Sequence, residues 1–328
     1  MSKRIVIVGG VAGGMSCAAR LKRLDDSLDV TIFEKGNDVS FANCGMPYHV
    51  GGEIAQRAAL VLHTPKTLKA RYGLDVRVRH EVVGIDRAAK QVTVKNLETG
   101  DVSKHAYDAL VLSPGAAPLR PPIPGADRAN VFVMNDLSDM DAIYQATVTA
   151  KTVTVVGAGF IGLELVENFR ARGLNVVLVE MLDQVLPPLD REMATPLLDQ
   201  LRLNGVDVRL SETVAAIEDK RVLLKSGATI DTDFACLCAG VKPSTGFCAD
   251  SGIDLGPRGH IITDPTMRTN DPNIYAVGDA VQVKDFTSGS DTAVPLAGPA
   301  NRQGRIAADN ICGRTSIYRD TQGTAIVA

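Results

Sequence analysis

Short apolar runs alternate with longer amphipathic stretches along most of the chain. One run covers residues 5–8 and ends at a glycine, and another covers residues 153–156 and ends in the same way. Each run leads through a glycine-containing turn into a stretch with helical spacing. Buried strands that alternate with helices are typical of parallel sheets joined by right-handed crossovers. The pattern therefore predicts an α/β fold that contains two strand–turn–helix units.

The second unit has glycines at all three positions of a dinucleotide-binding turn, namely Gly157, Gly159 and Gly162. In such a turn the first glycine permits the tight bend, the second lets the backbone approach a pyrophosphate, and the third allows close helix–strand packing. The pyrophosphate then lies at the helix N terminus, where unpaired N–H groups favour anions. The next apolar run ends at Glu180, whose carboxylate suits a ribose 2′-hydroxyl and repels a 2′-phosphate. This unit is therefore predicted to bind NADH rather than NADPH.

The first unit departs from this rule. Gly9 and Gly14 occupy the outer positions, but Val11 replaces the middle glycine and Gly13 is an additional neighbour. The following apolar run ends at Glu34, so that an acid again stands at the end of the second strand. The context predicts a second dinucleotide site, and an ordinary strand–turn–helix without a ligand is the alternative.

Two later segments indicate the ligand of the first unit. Residues 273–280, which include Gly278 and Asp279, resemble the strand-to-helix signature of flavoproteins with two dinucleotide-binding domains, in which the aspartate binds the FAD ribitol. Residues 107–115 resemble the strand that crosses between the domains of such proteins. A strand that ends in a Gly-Asp turn is the alternative for the first of these segments. Together, the segments predict FAD in the first unit.

The order of the segments predicts two Rossmann-like domains. A discontinuous FAD-binding domain would comprise residues 1–112 and 242–318, and an NADH-binding domain, residues 113–241, would be inserted into it. The proline-rich residues 118–125 mark the entry, because proline favours extended backbone and removes a hydrogen-bond donor. We expect residues 319–328 to be the start of a truncated interface domain that is otherwise largely absent.

Composition and charge argue against several classes of partner. The 328-residue chain has a net charge of −3, so no basic field indicates nucleic acid or a membrane surface. The N-terminal apolar run is too short for a signal peptide, and no window reaches the ~18 apolar residues of a membrane span. We therefore expect a cytoplasmic protein. The six cysteines lack metal-ligand spacing, so neither a metal site nor a disulfide framework is predicted.

One cysteine, Cys44, lies in a distinctive segment, residues 40–48. Many flavin disulfide reductases carry a second cysteine a few residues away, but here Tyr48 occupies that position. A single thiol of this kind must form a mixed disulfide with the substrate or be oxidised to sulfenic acid. We expect Cys44 to open a helix whose dipole lowers the thiol pKa. A buried structural cysteine is the alternative, and it is the expected role of Cys236 and Cys238 on an apolar strand.

Three polar residues share one face of the first predicted helix. Ser16, Arg20 and Arg23 lie at i, i+4 and i+7. Guanidinium groups offer planar forks of donors that suit phosphates. The residues by themselves favour the alternative, a solvated charged face.

Taken together, these features resemble the coenzyme A-disulfide reductase branch of the pyridine nucleotide-disulfide oxidoreductases, which also contains NADH oxidases and persulfide reductases. The most specific segments are residues 9–14, 40–48 and 295–305, and Val11 is shared by that branch. The resemblance implies that Cys44 is the nucleophile and that the family form is a homodimer. It implies that the coenzyme A site contains Ser16, Arg20, Arg23, Ser40, Asn43, Arg71 and Asn301.

The same resemblance implies a set of cofactor-binding residues around the predicted turns. They are Gly9, Ala12, Gly13, Gly14, Glu34, Lys35, Val82, Ser113, Gly115, Gly157, Gly159, Phe160, Ile161, Gly162, Glu180, Gly240, Asp279 and Ala297. Phe160 is expected to cover the flavin and to move aside when NADH binds.

The predicted function is the reduction of coenzyme A disulfide, a persulfide or a polysulfide by NADH, through FAD and Cys44. An NADH oxidase or peroxidase that cycles Cys44 through sulfenic acid is one alternative. A flavin-binding redox sensor or electron-transfer module with little turnover is an alternative of another class.

Overall fold

Helices and strands alternate along residues 2–324, the part of the chain that the computed structural model describes. The helices are α1 (Ala12–Leu24), α2 (Met46–Gly51), α3 (Pro65–Tyr72), α4 (Leu137–Thr149), α5 (Phe160–Ala171), α6 (Arg191–Leu203) and α7 (Ala297–Ile311). The strands are β1 (Arg4–Val8), β2 (Asp29–Phe33), β3 (Asp75–Arg77), β4 (His80–Asp86), β5 (Gln91–Asn96), β6 (Val102–Ala106), β7 (Ala109–Leu112), β8 (Ala116–Pro118), β9 (Val131–Phe132), β10 (Thr152–Val156), β11 (Asn175–Val179), β12 (Asp207–Arg209), β13 (Val214–Ile217), β14 (Arg221–Leu224), β15 (Thr229–Asp231), β16 (Phe234–Leu237), β17 (Val241–Pro243), β18 (Ile274–Ala276), β19 (Val283–Lys284) and β20 (Asp291–Thr292). The predicted α/β fold class is confirmed.

The chain divides into two units. Within the described residues, the first unit contains 2–41, 61–117 and 242–324, and the second contains 42–60 and 118–241. The division differs from the predicted domains chiefly at residues 42–60, which the prediction placed in the first domain. Residues 325–328, which belong to the predicted start of an interface domain, lie outside the described residues.

A five-stranded parallel sheet in the order β18-β7-β1-β2-β3 forms the centre of the first unit. In β1, Val6 pairs with Leu110 of β7 on one side and with Thr31 of β2 on the other. The β1 strand is almost entirely apolar because a central parallel strand is buried on both faces of its sheet. An antiparallel sheet, β4-β5-β6, and the hairpin β19-β20 belong to the same unit.

The second unit repeats this plan. Its parallel sheet has the order β12-β11-β10-β16-β9, and Val155 of β10 pairs with Leu178 of β11 and Cys236 of β16. Leu165 and Phe169 of α5 are fully buried. The antiparallel sheet β13-β14-β15 completes the unit.

The segment 42–60 groups with the second unit because it packs on α4 and α5. The Arg57 Nε lies 2.9 Å from both carboxylate oxygens of Asp141 on α4. The His49 ring stacks on the Tyr144 ring at 5.3 Å, and the Arg172 guanidinium lies 4.7 Å from the centre of that tyrosine ring. These contacts join residues far apart in the sequence, so the local pattern did not predict them.

Among residues 2–324, no helix combines the length and the apolar character needed to cross a membrane. Within the same residues, no group of three or more histidine, cysteine, aspartate or glutamate side chains is arranged to hold a metal ion.

Close helix packing in the first unit leads to a test of stability. A Cβ atom at Gly304 of α7 would lie 2.3 Å from the carbonyl oxygen of Gly13 in α1, whereas a Cβ at Gly298 would meet no atom within 4 Å. We expect Gly304→Ala to lower the free energy of unfolding by about 1–3 kcal/mol, because α1 and α7 must move apart. Gly298→Ala should be neutral or stabilising by up to about 1 kcal/mol, because alanine favours the helix. Denaturant unfolding of both variants measures the difference, and equal values would contradict the packing argument.

Candidate functional site

The first glycine turn follows the central strand β1. Gly9 has a φ of +93°, and a Cβ there would lie 2.0 Å from the carbonyl oxygen of Ser113. A Cβ at Gly14 would lie 2.0 Å from the carbonyl oxygen of Gly9. Both positions therefore require glycine, which agrees with the roles predicted for the outer positions of the turn. Val11 lies just before the first residue of α1.

The second turn has the same geometry. Gly157 has a φ of +108°, and a Cβ at Gly162 would lie 2.0 Å from the Gly157 carbonyl oxygen. A Cβ at Gly159 would meet no atom within 4 Å, so this position is open on the side where a side chain would point. This openness suits the approach of a pyrophosphate to the backbone.

Three helices that begin at predicted cofactor-binding residues carry no side-chain cap at their N termini. This holds for α1, which begins with Ala12 and Gly13, for α5, which begins with Phe160 and Ile161, and for α7, which begins with Ala297. By contrast, Thr64 caps α3 and Asp136 caps α4. Uncapped N–H groups at a helix N terminus attract anions, so the N termini of α1 and α5 fit the phosphate-bearing cofactors predicted for the two turns.

Two buried glutamates hold the turns in equivalent ways. Glu34 accepts hydrogen bonds from the N–H groups of Gly10, at 2.8 Å, and Gly36, at 2.7 Å. Glu180 accepts from Ala158 at 2.7 Å and from Leu182 at 2.9 Å. Each carboxylate oxygen accepts one bond and retains capacity for another, so a ribose hydroxyl can still be bound. The predicted ribose roles of Glu34 and Glu180 remain predictions.

Asp279 lies in a setting that fits a hydroxyl-bearing ligand. Its carboxylate has no hydrogen-bond or ion-pair partner among residues 2–324, and burial raises its pKa to about 6. The N–H group of the preceding Gly278 donates to Oε1 of Gln303 at 2.7 Å. A ribitol hydroxyl that donates to Asp279 would satisfy this carboxylate, so the residues fit FAD.

The remaining predicted cofactor residues differ in exposure. Lys35 and Ala297 are exposed, and Phe160 and Ile161 are 36% and 38% exposed at the start of α5. Val82 is only 5% exposed and packs in the core of the first unit. Three further residues, Ser113, Gly115 and Gly240, follow strand ends, and both glycines have positive φ.

The residues predicted to bind coenzyme A are only partly brought together. Ser16 Oγ donates to Oδ1 of Asn301 at 2.8 Å, which joins α1 to α7. Arg20 is bonded to Asp309 of α7, whereas Arg23 is exposed. The other three predicted residues, Ser40, Arg71 and Asn43, make no contact with this group among the hydrogen bonds and ion pairs of residues 2–324.

Ser40 has a φ of +51°, and its N–H group donates to the Gly10 carbonyl. Arg71 is exposed and lies over the Tyr72 ring. Asn43 is exposed and belongs, with Cys44, to the second unit.

Cys44 does not open an α-helix, which corrects the expectation drawn from the sequence. It lies in a three-residue 3-10 helix, Asn43–Gly45, that precedes the six-residue α2. The side chain is exposed, but partial burial of the sulfur raises the thiol pKa above its ordinary value, and the charge of Glu164 raises it further. The predicted lowering of the pKa is therefore wrong for the described residues. Partial burial of the sulfur is the main cause and the acidic surroundings add to it, so that together they outweigh any dipole of such a short helix.

These surroundings contain three glutamates, here called the acidic cluster: Glu53, Glu164 and Glu167. They were not among the residues predicted from the sequence. Burial and the charge of Glu167 raise the pKa of Glu164, and burial and the charge of Glu53 raise the pKa of Glu167. Burial, followed by the three carboxylates, also raises the pKa of Tyr48. Glu164 and Glu167 lie at i and i+3, and this spacing in the sequence already places both on one helix face. Their nearness to Cys44 depends on the packing of α2 against α5.

The other five cysteines lie in less accessible positions. Cys17, Cys236 and Cys248 are buried, and Cys238 and Cys312 are intermediate. Burial raises the pKa of Cys238 to about 12, and its carbonyl oxygen lies against the Gly157 turn. Burial also raises the pKa of Cys236, so the thiolate is disfavoured at both cysteines of this apolar segment, in agreement with a structural role.

The acidic cluster predicts a change in thiol reactivity. Glu164→Gln removes a negative charge beside Cys44, so the thiol pKa should fall and the thiolate fraction between pH 7 and 8 should rise. We expect alkylation of Cys44 by iodoacetamide to be about two- to fivefold faster than in the unmodified protein. Glu192→Gln, on the exposed first turn of α6, is the matched control. An unchanged alkylation rate in Glu164→Gln would refute the electrostatic effect.

Asp279 predicts a pH-dependent change in stability. Its folded pKa of about 6 lies above the ordinary 3.8, so the stability it contributes is present at low pH and is lost as the pH rises through 6. Asp279→Asn should therefore stabilise the flavin-free protein by about 1–3 kcal/mol near neutral pH, and this gain should vanish below about pH 4. Urea unfolding of both proteins across this range measures the effect. A gain that is independent of pH would contradict the assignment.

Comparisons with known proteins agree with this geometry. Residues 3–304 match the model of the pyridine nucleotide-disulphide oxidoreductase family. A coenzyme A disulfide reductase from Staphylococcus haemolyticus is 36% identical over 99% of this chain and 74% of its own length.

Two solved structures are also similar. Reduced CoADR-RHD from Bacillus anthracis superposes with a TM-score of 0.97 at 45% identity, and the match covers 100% of this chain but 60% of that one. The water-forming NADH oxidase from Lactobacillus brevis, bound to NADH, has a TM-score of 0.95 at 31% identity, and the match covers 100% of this chain and 73% of that one. The predicted resemblance is confirmed. The chain belongs to the pyridine nucleotide-disulphide oxidoreductase family.

Proposed function

We propose that the protein is an FAD-dependent oxidoreductase that uses NADH to reduce coenzyme A disulfide, a persulfide or a polysulfide through Cys44. Membership of the family supports the broader part, an oxidoreductase that uses FAD and a pyridine nucleotide. The narrower part is the reduction of a sulfur substrate through Cys44. The observation that carries it is that Cys44 is the one exposed cysteine of six, and that its sulfur is free. The name of the S. haemolyticus relative supports coenzyme A disulfide as the substrate.

The two turns are assigned to the two cofactors. FAD would be held by the first turn, by Glu34 and by the unpaired carboxylate of Asp279. NADH would be held by the second turn and by Glu180, whose charge disfavours a 2′-phosphate. When bound, these cofactors supply a hydride and then a pair of electrons to the thiol chemistry. Phe160 is partly exposed at the start of α5, which suits a side chain that covers a cofactor and moves aside.

The chain itself supplies the nucleophile. The Cys44 thiolate attacks one sulfur of the substrate, forms a mixed disulfide and releases the other half as a thiolate. Two electrons and a proton then split the mixed disulfide, which restores Cys44 and releases the second thiol. Overall, one NADH and one proton convert one coenzyme A disulfide into two thiols. Since partial burial and the charge of Glu164 disfavour the thiolate, its formation would be assisted by the bound cofactor or substrate.

An NADH oxidase or peroxidase is the second candidate, and the similarity to the L. brevis oxidase favours it. In that case Cys44 would be oxidised to sulfenic acid by peroxide and reduced again, with water as the product. An exposed single cysteine without a partner thiol suits this cycle as well. A homodimer, which the resemblance implies, and a cytoplasmic location, which the composition indicates, remain part of the proposal.

The decisive experiment compares NADH oxidation in the presence of coenzyme A disulfide, a persulfide, peroxide and oxygen. We expect the fastest turnover with a sulfur substrate, and Cys44→Ser should lower it at least about 100-fold because the nucleophile is lost. Cys312→Ser is the matched control, since Cys312 lies outside the proposed site. NADH-dependent reduction of a dye, which needs no thiol, should be retained in Cys44→Ser.

Other outcomes have definite meanings. Turnover of peroxide or oxygen that exceeds turnover of every sulfur substrate and depends on Cys44 would favour the second candidate. Retained turnover in Cys44→Ser would exclude both cysteine mechanisms. Negligible turnover with full FAD occupancy would favour a redox sensor or electron-transfer module.

A further inference from the structure

The side of α5 that meets α2 carries three polar side chains, one helical turn apart. Glu164, Asn168 and Arg172 lie at i, i+4 and i+8. The charge of Glu164 acts on the Cys44 thiol, and a Cβ at Gly51 would lie 2.1 Å from Oδ1 of Asn168. All of these residues belong to the second unit. The row of side chains therefore follows the cysteine-bearing segment from the thiol to the end of α2.

Arg172, the last of the three, makes two contacts with its surroundings. Its Nη1 donates to the carbonyl oxygen of Val50, in the last turn of α2, at 3.1 Å. Its guanidinium lies 4.7 Å from the centre of the Tyr144 ring of α4, a distance at which cation–π attraction operates. The same ring stacks on His49 at 5.3 Å, with 15° between the ring planes. Arg172 thus holds the last turn of α2 both directly and through Tyr144.

The imidazole of His49 is itself fixed. Its Nδ1 lies 2.6 Å from the carbonyl oxygen of Ile54, in the turn that follows α2. A carbonyl oxygen only accepts hydrogen bonds, so Nδ1 carries the proton. The residue is 8% exposed, and this bond sets the plane in which the imidazole meets the Tyr144 ring. The stack therefore leaves the end of α2 little freedom to move.

We infer that Arg172 is a positioning residue for the nucleophile: by holding the last turn of α2 and the Tyr144 ring, it fixes the orientation of Cys44. Residues 43–45 and 46–51 form two consecutive helical turns, so a displacement at Val50 is transmitted to the thiol. Arg172 follows Glu164 by about 12 Å along the helix axis, so it acts through α2 and not by touching the sulfur. The inference rests on the proposed function, because it concerns the reaction in which Cys44 attacks a substrate.

A cation at the end of a helix also stabilises that helix by its charge, and the test must separate this effect from positioning. Arg170 offers the matched control, because it lies in the last turn of the same helix. Its Nε and Nη1 donate to the carbonyl oxygens of Asn204 and Leu174, at 2.9 Å and 2.6 Å. Neither acceptor belongs to the cysteine-bearing segment, so loss of Arg170 should affect stability without moving α2.

The first measurement is the steady-state reduction of coenzyme A disulfide. Arg172→Gln should lower kcat about tenfold, because the thiol is presented less often in its reactive orientation. The KM for NADH and the rate of NADH-dependent dye reduction, which need no thiol, should change less than twofold. Arg170→Gln should lower the thermal unfolding midpoint but keep kcat within twofold of the unmodified protein.

Conservative variants sharpen the result. Tyr144→Phe keeps the aromatic ring and should retain kcat, whereas Tyr144→Leu removes the ring and should reproduce the loss. Arg172→Lys keeps the charge but lacks the planar guanidinium that covers the ring, so we expect kcat to fall about threefold. Arg172→Lys also serves as the test if Arg172→Gln does not fold.

The second measurement is the pH profile of Cys44 alkylation by iodoacetamide, which needs no turnover. The packing of α2 on α5 keeps the thiol partly buried and beside Glu164, and both effects raise its pKa. Release of α2 in Arg172→Gln or Tyr144→Leu should therefore lower the midpoint of the profile by about 0.5 pH unit. Arg170→Gln should leave the midpoint unchanged, as would the loss of any residue that only stabilises the fold.

The inference is overturned if Arg170→Gln lowers kcat as much as Arg172→Gln, or if Tyr144→Leu retains full kcat. The proposed function fails separately, if the unmodified protein does not turn over coenzyme A disulfide. The alkylation profiles then decide the inference. A lower midpoint in Arg172→Gln and Tyr144→Leu alone supports it, and an unchanged midpoint in both, or an equal shift in Arg170→Gln, overturns it.

Discussion

The structure depends on the close approach of backbone to backbone at the two glycine turns. In both units, a side chain at the last glycine of the turn would collide with the carbonyl oxygen of the first, at Gly14 on Gly9 and at Gly162 on Gly157. This contact holds the N terminus of a helix against the end of the central strand. In each unit, the unpaired N–H groups of that helix therefore lie at the equivalent position, beside the end of the central strand. A buried glutamate at the end of the neighbouring strand completes the turn by accepting backbone N–H bonds.

The candidate nucleophile is attached to the second of these units by a short segment. Cys44 precedes α2, and residues 42–60, which contain both, are held on α4 by the Arg57–Asp141 ion pair and by the stack of His49 on Tyr144, while α2 also packs on α5. The same packing brings Glu164 near the thiol. The contacts that position the sulfur therefore also disfavour its ionisation. In the proposed reaction, the bound cofactor or substrate would therefore assist the formation of the thiolate.

The polar face of α1 shows how packing separates residues that look alike in the sequence. Arg20 and Arg23 have the same chemistry and lie on the same helix face. One is held by Asp309 and the other is exposed. The packing of α1 on α7 therefore gives two arginines of the same helix face different surroundings.

The sequence by itself determined the features that depend on neighbours along the chain. The apolar runs, the spacing of Gly157, Gly159 and Gly162, and the acids at the ends of the next strands predicted both units, because strand, turn and helix are local patterns. The same patterns did not predict that residues 42–60 group with the second unit, that the pKa of Cys44 is raised, or that Arg20 is bonded to Asp309. Only the tertiary structure decided these, because burial and ion pairing depend on distances between residues that are remote in sequence. Arg20 and Asp309, for example, are separated by 289 positions.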